Sequence, residues 1–359
     1  MEGDAMLCVD PLSYQAMKNR VELSNTRIHQ IRAQGVDALA TQRTIQIFSH
    51  GNGFNSHSAH KSSSSSKRLA RVVFEDSAST DCAMKLDYAD LIISASQWNT
   101  NLLRSITKIP VFQIHEGVDT SVFSPSGSVR PKAPQLSSRF VIYSGGKAEF
   151  RKGQDLLIRA FAAFARDHRD ALLVTNWHSP WNIHDQLLRP LLAAPLHKNA
   201  EGLPDFTRWA LENGIAHDQF IDLGMFPNQL LPQVLRQVDV AVVASRAEAC
   251  TSLVAKEAMA CGVPVIASCH TGLVDLITQD NSYPLRTFKQ VKPNEAYLGT
   301  QGWGEVDPEE IYEALCWCYD HPTEARALGL AGCQWIGSQG RTWANHAQQL
   351  SDLILNTGC

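Results

Sequence analysis

The chain has 359 residues, 44% of them hydrophobic and 19% charged, with a formal net charge of −4. That length suffices for two domains of ordinary size, and the slight acidic excess excludes a general nucleic-acid binder. No apolar run approaches the ~20 residues of a membrane span, and nine cysteines without paired C-x-x-C spacing exclude a zinc knuckle. The acidic opening M-E-G-D lacks the basic and apolar regions of a secretory leader, so the expectation is a cytoplasmic protein with free thiols, no bound metal and no transmembrane segment.

In chain order, the first 44 residues are weakly periodic, with a helix expected over 14–33. Residues 44–48 (T-I-Q-I-F) alternate like a strand and run into S-H-G-N-G, which contains His50. Five consecutive serines, Ser62 to Ser66, cannot bury apolar surface and read as a mobile loop. Residues 71–74 (R-V-V-F) form a strand ending at Glu75 and Asp76. Residues 90–94 form another, followed by a helix over 98–105, and 111–114 a further strand ending in H-E-G-V-D.

Residues 124–138 carry three prolines and five serines without periodicity, which marks a linker. Beyond it strands are expected at 140–144, 171–175, 220–223, 238–244 and 263–267, with helices between them. Leu156, Leu157, Ala160, Phe161 and Phe164 repeat at helical spacing. Helical patterns return at 307–319, 323–336 and 343–355. Alternating strands and helices indicate α/β domains with doubly wound parallel sheets. The expected division is residues 1–124, a linker at 125–138, a second domain at 139–338, and a last helix at 339–359 crossing back to the first.

Two loops carry the chemistry. Gly145-Gly146-Lys147-Ala148-Glu149-Phe150-Arg151-Lys152-Gly153 follows a strand and opens a helix. Glycines such as Gly146 let backbone approach phosphates closely, and a nearby cation neutralises their charge; a capped turn with solvated lysines is the competing reading. The second loop follows the strand at 238–244 and reads S-R-A-E-A-C-T-S-L-V-A-K-E. Thr251 and Ser252 are N-cap types, so N–H groups around Thr251, Ser252 and Leu253 would face an anion at the carboxyl end of a strand. Glu257, in the first two helical turns, could accept bonds from ligand hydroxyls, and Glu248 lies just before the helix. Phosphate on amides and a diol on a carboxylate describe a nucleotide-sugar site. An exposed helix glutamate and a loop acid compete with those readings.

Elsewhere, His50, Glu75 and Asp76 each end an expected strand, with loop capping as the alternative to ligand binding. Trp177, His178 and Trp181 are candidates for stacking on a sugar or base, or for packing. Cys250 has no His-Asp pairing to activate it. Gly117-Val118-Asp119 reads as shaping the interdomain connection.

The segment E-A-C-T-S-L-V-A-K-E-A-M-A-C-G-V-P resembles the donor-binding signature of the family 4 (group 1) glycosyltransferases, in a bacterial-type form reading E-G-G-T-N-L-V-A-x-E-A-M-A-C-G-V-P. Eight residues separate Glu248 from Glu257, where seven are usual. G-G-K-A-E-F-R-K-G resembles the family's G-R-x-x-x-x-K-G, and A-D-L-I-I-S-A-S-Q-W-N-T and G-V-D-T-S-V-F-S-P resemble the end of its first domain. The likeness spans about residues 44–355. It implies a GT-B fold of two Rossmann-like domains and metal-independent transfer from a nucleoside-diphosphate sugar, a substrate and not a cofactor, with retention of configuration. The acceptor would be a glycan, lipid, protein or small molecule. Lys147 and Lys152 would hold the diphosphate, Glu257 the ribose and Glu248 the transferred sugar, while Asp76, Glu75 or His50 would meet sugar or acceptor from the first domain. No strand with a glycine-rich loop precedes His50, so the N-terminal domain is read as shortened, its opening βα unit missing or altered. A non-catalytic nucleotide-sugar-binding or regulatory protein and a GT-B-fold epimerase are the alternatives. The absence of an early G-x-G-x-x-G disfavours a dehydrogenase.

Overall fold

The structure is a computed structural model that describes residues 7–8, 45–55, 67–125, 132–133, 136–179, 187–188 and 190–357. The helix expected over 14–33, the serine run, much of the linker and Trp181 lie outside these residues. The chain forms two units. The first comprises Met1–His115, Pro293–Gln301 and His346–Cys359; the second comprises Glu116–Lys292 and Gly302–Asn345.

The first unit is built on a parallel sheet whose strands follow one another in chain order: β1 (Leu7–Cys8), β2 (Ile45–His50), β3 (Lys67–Val72), β4 (Leu91–Ser94) and β5 (Val111–Gln113). β1 pairs with Ile45 and Gln46 at the sheet edge, so a strand does precede β2, where the sequence reading has the opening βα unit missing or altered. Side chains alternate across the sheet as the strand period requires. Ala70, Val72 and Ile92 join Phe54, Phe74, Leu102 and Leu103 on one face. Leu69, Leu91, Ile93 and Ile114 face the other way, against Leu350, Leu353 and Ile354 of the last helix. Helix α1 (Gln97–Ile106) starts at Ser96, whose hydroxyl accepts from Asn99 N at 3.2 Å.

The second unit holds β6 (Phe140–Gly145), β7 (Ala171–Asn176), β8 (Phe220–Asp222), β9 (Val240–Val243), β10 (Val265–Ser268) and β11 (Tyr283–Leu285). Its sheet order is β11-β10-β9-β6-β7-β8, all parallel. V-A-V-V of β9 and V-I-A-S of β10 are buried throughout, the pattern of strands covered on both faces. Pro284 is confined to the edge strand, where its missing N–H breaks no central ladder. The helices are α2 (Gln154–Asp167), α3 (Phe206–Glu212), α4 (Leu231–Leu235), α5 (Leu253–Ala260), α6 (Pro308–Asp320), α7 (Pro322–Ser338) and α8 (Trp343–Asn356), the last passing into the first unit. Leu157, Phe161 and Phe164 of α2 pack with Ile311 and Leu315 of α6 on one face of the sheet. Ala255, Ala258 and Met259 of α5 lie in the cluster on the other. Asp307 caps α6 through Glu309 N at 3.1 Å, with Pro308 at the first helical position, which suits its fixed φ.

An antiparallel hairpin, β12 (Phe288–Gln290) with β13 (Gly304–Val306), has no counterpart in the sequence reading. F-K-Q is exposed throughout, so it carries no alternation of buried and exposed residues to betray a strand. Gly117-Val118 lies alongside Thr342 in a parallel bridge. A side chain at Gly117 would come within 2.1 Å of the Thr342 carbonyl carbon, so this pairing requires glycine. Cys82, Cys250, Cys261, Cys269, Cys316, Cys318 and Cys333 are free thiols. No helix among the described residues is long and apolar enough to cross a membrane.

Candidate functional site

The order of strands in the second unit reverses between β6 and β9. Such a switch point, at the carboxyl ends of the strands, is where open α/β sheets form a ligand crevice, because the two following loops diverge to opposite faces. Both chemistry-bearing loops start there: residues 146–153 follow β6, and residues 244–252 follow β9.

The first loop is shaped by two left-handed glycines, Gly146 at φ 95° and Gly153 at φ 69°. A Cβ on Gly153 would lie 2.0 Å from Ala244 O, so the loops touch backbone to backbone at that point. Arg246 N donates to Arg151 O at 2.6 Å, making a second backbone join. A Cβ on Gly146 would face Val254 of α5 at 3.4 Å, which places the glycine turn beside the start of that helix.

The charged side chains form one connected set. Lys152 Nζ donates to Glu248 Oε1 at 2.6 Å, and Arg151 Nη1 lies 3.2 Å from Glu248 Oε2. Ser245 Oγ donates to Glu248 Oε1 at 2.8 Å. Arg151 Nε also sits 2.8 Å from Glu149, whose other oxygen meets Lys147. Glu248 is only 4% exposed. Burial pushes its carboxyl up, but Lys152 and Arg151 outweigh that and hold it below the ordinary value. Glu149 is balanced the same way: burial raises it, and Arg151 and Lys147 bring it down to a net lowering. Three cations and two buried carboxylates thus meet at the switch point, an excess of one positive charge.

Thr251 and Ser252 are buried, and Ser252 adopts φ 55° as the cap of α5, its Oγ 3.5 Å from Ala255 N. A non-glycine residue in this region is strained, and such strain concentrates at ligand sites. Leu253 opens the helix. Glu257, one turn on, accepts from Asn228 Nδ2 at 3.0 Å. The pKa of the fully buried Tyr143 phenol is raised first by burial and then by the Glu257 charge.

Several residues that position this site were invisible to motif reasoning. Arg246 is 1% exposed and grips Asp155 at the start of α2 through two bonds of 2.8 and 2.7 Å. It also donates to Phe150 O at 2.7 Å and reaches Glu305 of β13 at 2.7 Å. One guanidinium therefore joins the first loop, the second loop, α2 and the hairpin. After β10, Thr271 Oγ1 accepts from Glu248 N at 3.0 Å, and Gly272 N donates to Glu248 O at 2.9 Å. The H-T-G run at 270–272 could have flagged this loop, since Gly272 approaches Cys250 O so closely that a Cβ would sit 2.2 Å away.

Asp76 and His50 are engaged by groups of the first unit itself. The Asp76 carboxylate accepts from Ala78 N at 2.9 Å, Leu298 N at 3.1 Å and Gly299 N at 2.6 Å. Capping, the alternative in the sequence reading, is what its geometry performs. Both nitrogens of His50 are engaged, Nδ1 with Phe54 O at 3.0 Å and Nε2 with the Tyr88 hydroxyl at 2.5 Å. Glu75 N and Asp76 N both donate to Asn52 Oδ1. In the second unit Trp177 is fully buried among Phe206, Trp209 and Phe220, a packing role. His178 lies 2.8 Å from Asp222 Oδ2 at the ends of β7 and β8.

A family model described as "Glycosyl transferases group 1" matches residues 138–317, half of the chain. The chain is 28% identical over 165 residues to the D-inositol 3-phosphate glycosyltransferase 1 of Catenulispora acidiphila, covering 45% of this chain and 36% of that protein. It is 25% identical over 247 residues to the GDP-mannose-dependent alpha-(1-6)-phosphatidylinositol monomannoside mannosyltransferase of Mycolicibacterium smegmatis, covering 66% and 54%. The chain thus spans between about a third and a half of the curated relatives it matches. Among solved structures, Anabaena Alr3699/HepE in complex with UDP superimposes with a TM-score of 0.61 at 16% identity, covering 92% of this chain and 83% of that one. With the two parallel sheets, this likeness shows a two-domain, Rossmann-like fold of the GT-B kind.

Proposed function

Because the chain belongs to the group 1 glycosyl transferases, we propose that it transfers a sugar from a nucleoside-diphosphate sugar to an acceptor hydroxyl, with retention of anomeric configuration. The observation that carries this reading is the convergence of Arg151 and Lys152 on Glu248 at the switch point of the second-unit sheet. Lys147, Arg151 and Lys152 would neutralise the diphosphate as the bond to the sugar breaks, and the start of α5 would add its N–H groups. These fixed positive groups would do the work that a metal ion does elsewhere. Glu257 would accept from the ribose hydroxyls and Glu248 from those of the transferred sugar. Glu248 lies in the loop before α5 and Glu257 on that helix. The family resemblance supports retention. The Catenulispora and Mycolicibacterium relatives are named for transfer to an inositol phosphate and a phosphatidylinositol mannoside, so polyol phosphates belong in the acceptor panel beside glycans, lipids and proteins.

The test is a screen of UDP- and GDP-sugars against that panel, with mass-spectrometric detection of released nucleotide and of glycosylated product. Product carrying one added sugar supports the reading. A nucleotide-sugar-binding role without turnover is favoured by one observation, the commitment of Asp76 and His50 to loop contacts in the first unit. Tight donor binding with no product from any acceptor would select that second reading.

A further inference from the structure

A diphosphate that approaches this site does not meet unengaged cations. Lys152 and Arg151 are bonded to Glu248, and Arg151 and Lys147 to Glu149. Any anion that claims Lys152 and Arg151 must share them with the Glu248 carboxylate or take them away. A buried carboxylate that loses its cations and gains a neighbouring anion is strongly disfavoured.

Glu248 cannot withdraw from this competition. Its N–H is held by Thr271 Oγ1 and its carbonyl by Gly272 N. The two preceding residues, Arg246 and Ala247, donate to Arg151 O at 2.6 and 3.3 Å. Gly272 closes the other side so tightly that no side chain fits there. These contacts fix the Glu248 backbone beside the cations, and burial at 4% exposure together with the Ser245 hydroxyl bonded to Oε1 keeps its carboxylate there.

From this arrangement we infer that Glu248 makes the site discriminate between an intact nucleotide sugar and the bare nucleoside diphosphate left after transfer, favouring the former. The inference rests on the nucleotide-sugar reading and deepens it. An intact donor brings sugar hydroxyls attached to the second phosphate. These O–H groups can donate to Glu248 as Lys152 and Arg151 turn toward the phosphates, and charge-assisted bonds of this kind are strong. A bare diphosphate brings no such donor, and its terminal phosphate carries extra negative charge toward the same carboxylate. The cost of displacing the ion pairs is offset in one case and aggravated in the other. The consequence is release of product from a site whose cations would otherwise retain it.

The experiment is calorimetric titration of the full chain and of Glu248→Gln with two probe pairs, UDP against UDP-glucose and GDP against GDP-mannose. Wild type should bind the sugar-bearing member of the accepted pair more tightly than the bare diphosphate. Glu248→Gln keeps an acceptor for Lys152 but removes the charge. It should tighten the bare diphosphate by about tenfold, the lower range for a charge-assisted contact, and erase the preference for the intact donor. Weaker or unchanged diphosphate binding by Glu248→Gln would overturn the inference. If that variant does not fold, the wild-type ratio decides alone: a bare diphosphate bound as tightly as the donor, or more tightly, is the refuting result. Failure of wild type to bind either pair would instead refute the nucleotide-sugar reading, and the inference with it.

Discussion

Replacing Arg246 by alanine should destabilise the second unit by about 3–5 kcal/mol, the usual cost of leaving a buried ion pair half broken. Arg246 and Asp155 are 1% and 2% exposed and meet through two bonds of 2.8 and 2.7 Å. Without the guanidinium, the Asp155 carboxylate stays buried with its bidentate partner gone, and Phe150 O loses a donor held at 2.7 Å. The guanidinium also lies 4.3 Å from the centre of the Phe150 ring, a contact worth about 0.5–2 kcal/mol. The Glu305 contact adds little, because that side chain is 40% exposed and water screens it. Burial by itself would lower the Arg246 pKa, but Asp155 and then Glu305 reverse the shift to a net rise, so the guanidinium stays charged. Urea unfolding followed by circular dichroism measures the loss, read from the midpoint at constant slope. The double variant Arg246→Met with Asp155→Leu should recover much of it, since two apolar side chains leave no uncompensated charge. A loss below about 1 kcal/mol for Arg246→Ala, or no recovery in the double variant, would refute the reasoning and reduce Arg246 to a surface-like contact.

Lys152→Ala should weaken binding of nucleoside diphosphate and intact donor by about tenfold or more; unchanged calorimetric affinity for the accepted diphosphate would remove Lys152 from the site. Gly153→Ala combines a left-handed φ of 69° with a Cβ placed 2.0 Å from Ala244 O, so the loop must open and donor binding should be lost while the thermal midpoint falls. Full binding by that variant would show that the two loops need not touch. Burial, opposed by Gly304 and the Glu248 charge, lowers the His270 imidazole from 6.5 to about 4. Between those values the unfolded chain binds a proton that the folded chain does not, so this contribution is present above pH 6.5 and lost as pH falls toward 4. It amounts to about 3 kcal/mol. His270→Leu should flatten the stability profile across that window, and an unchanged slope would count against the buried neutral imidazole. Turnover, once an acceptor is found, should survive excess EDTA, because Lys147, Arg151 and Lys152 supply the positive charge; loss with rescue by manganese would contradict that assignment.

The elements of the second unit were legible because their signals are local. V-A-V-V and V-I-A-S read as strands buried on both faces, and Ser252 as a helix cap, from a few consecutive residues. The glycine and lysine loop and the two glutamates were legible for the same reason, each set lying within a short continuous stretch of chain. What the sequence did not reveal is who meets whom. Lys152 and Glu248 are 96 positions apart, and only the reversal of strand order between β6 and β9 brings their loops into contact. Arg246 reads as an unremarked loop residue because Asp155 is 91 positions away. Asp76 ends a strand like a ligand-binding acid, yet backbone N–H groups 222 and 223 positions along the chain take its carboxylate. A motif specifies the chemistry a side chain can perform. Whether that capacity is open to a ligand or consumed within the fold depends on partners brought near only by the order of strands in the sheet.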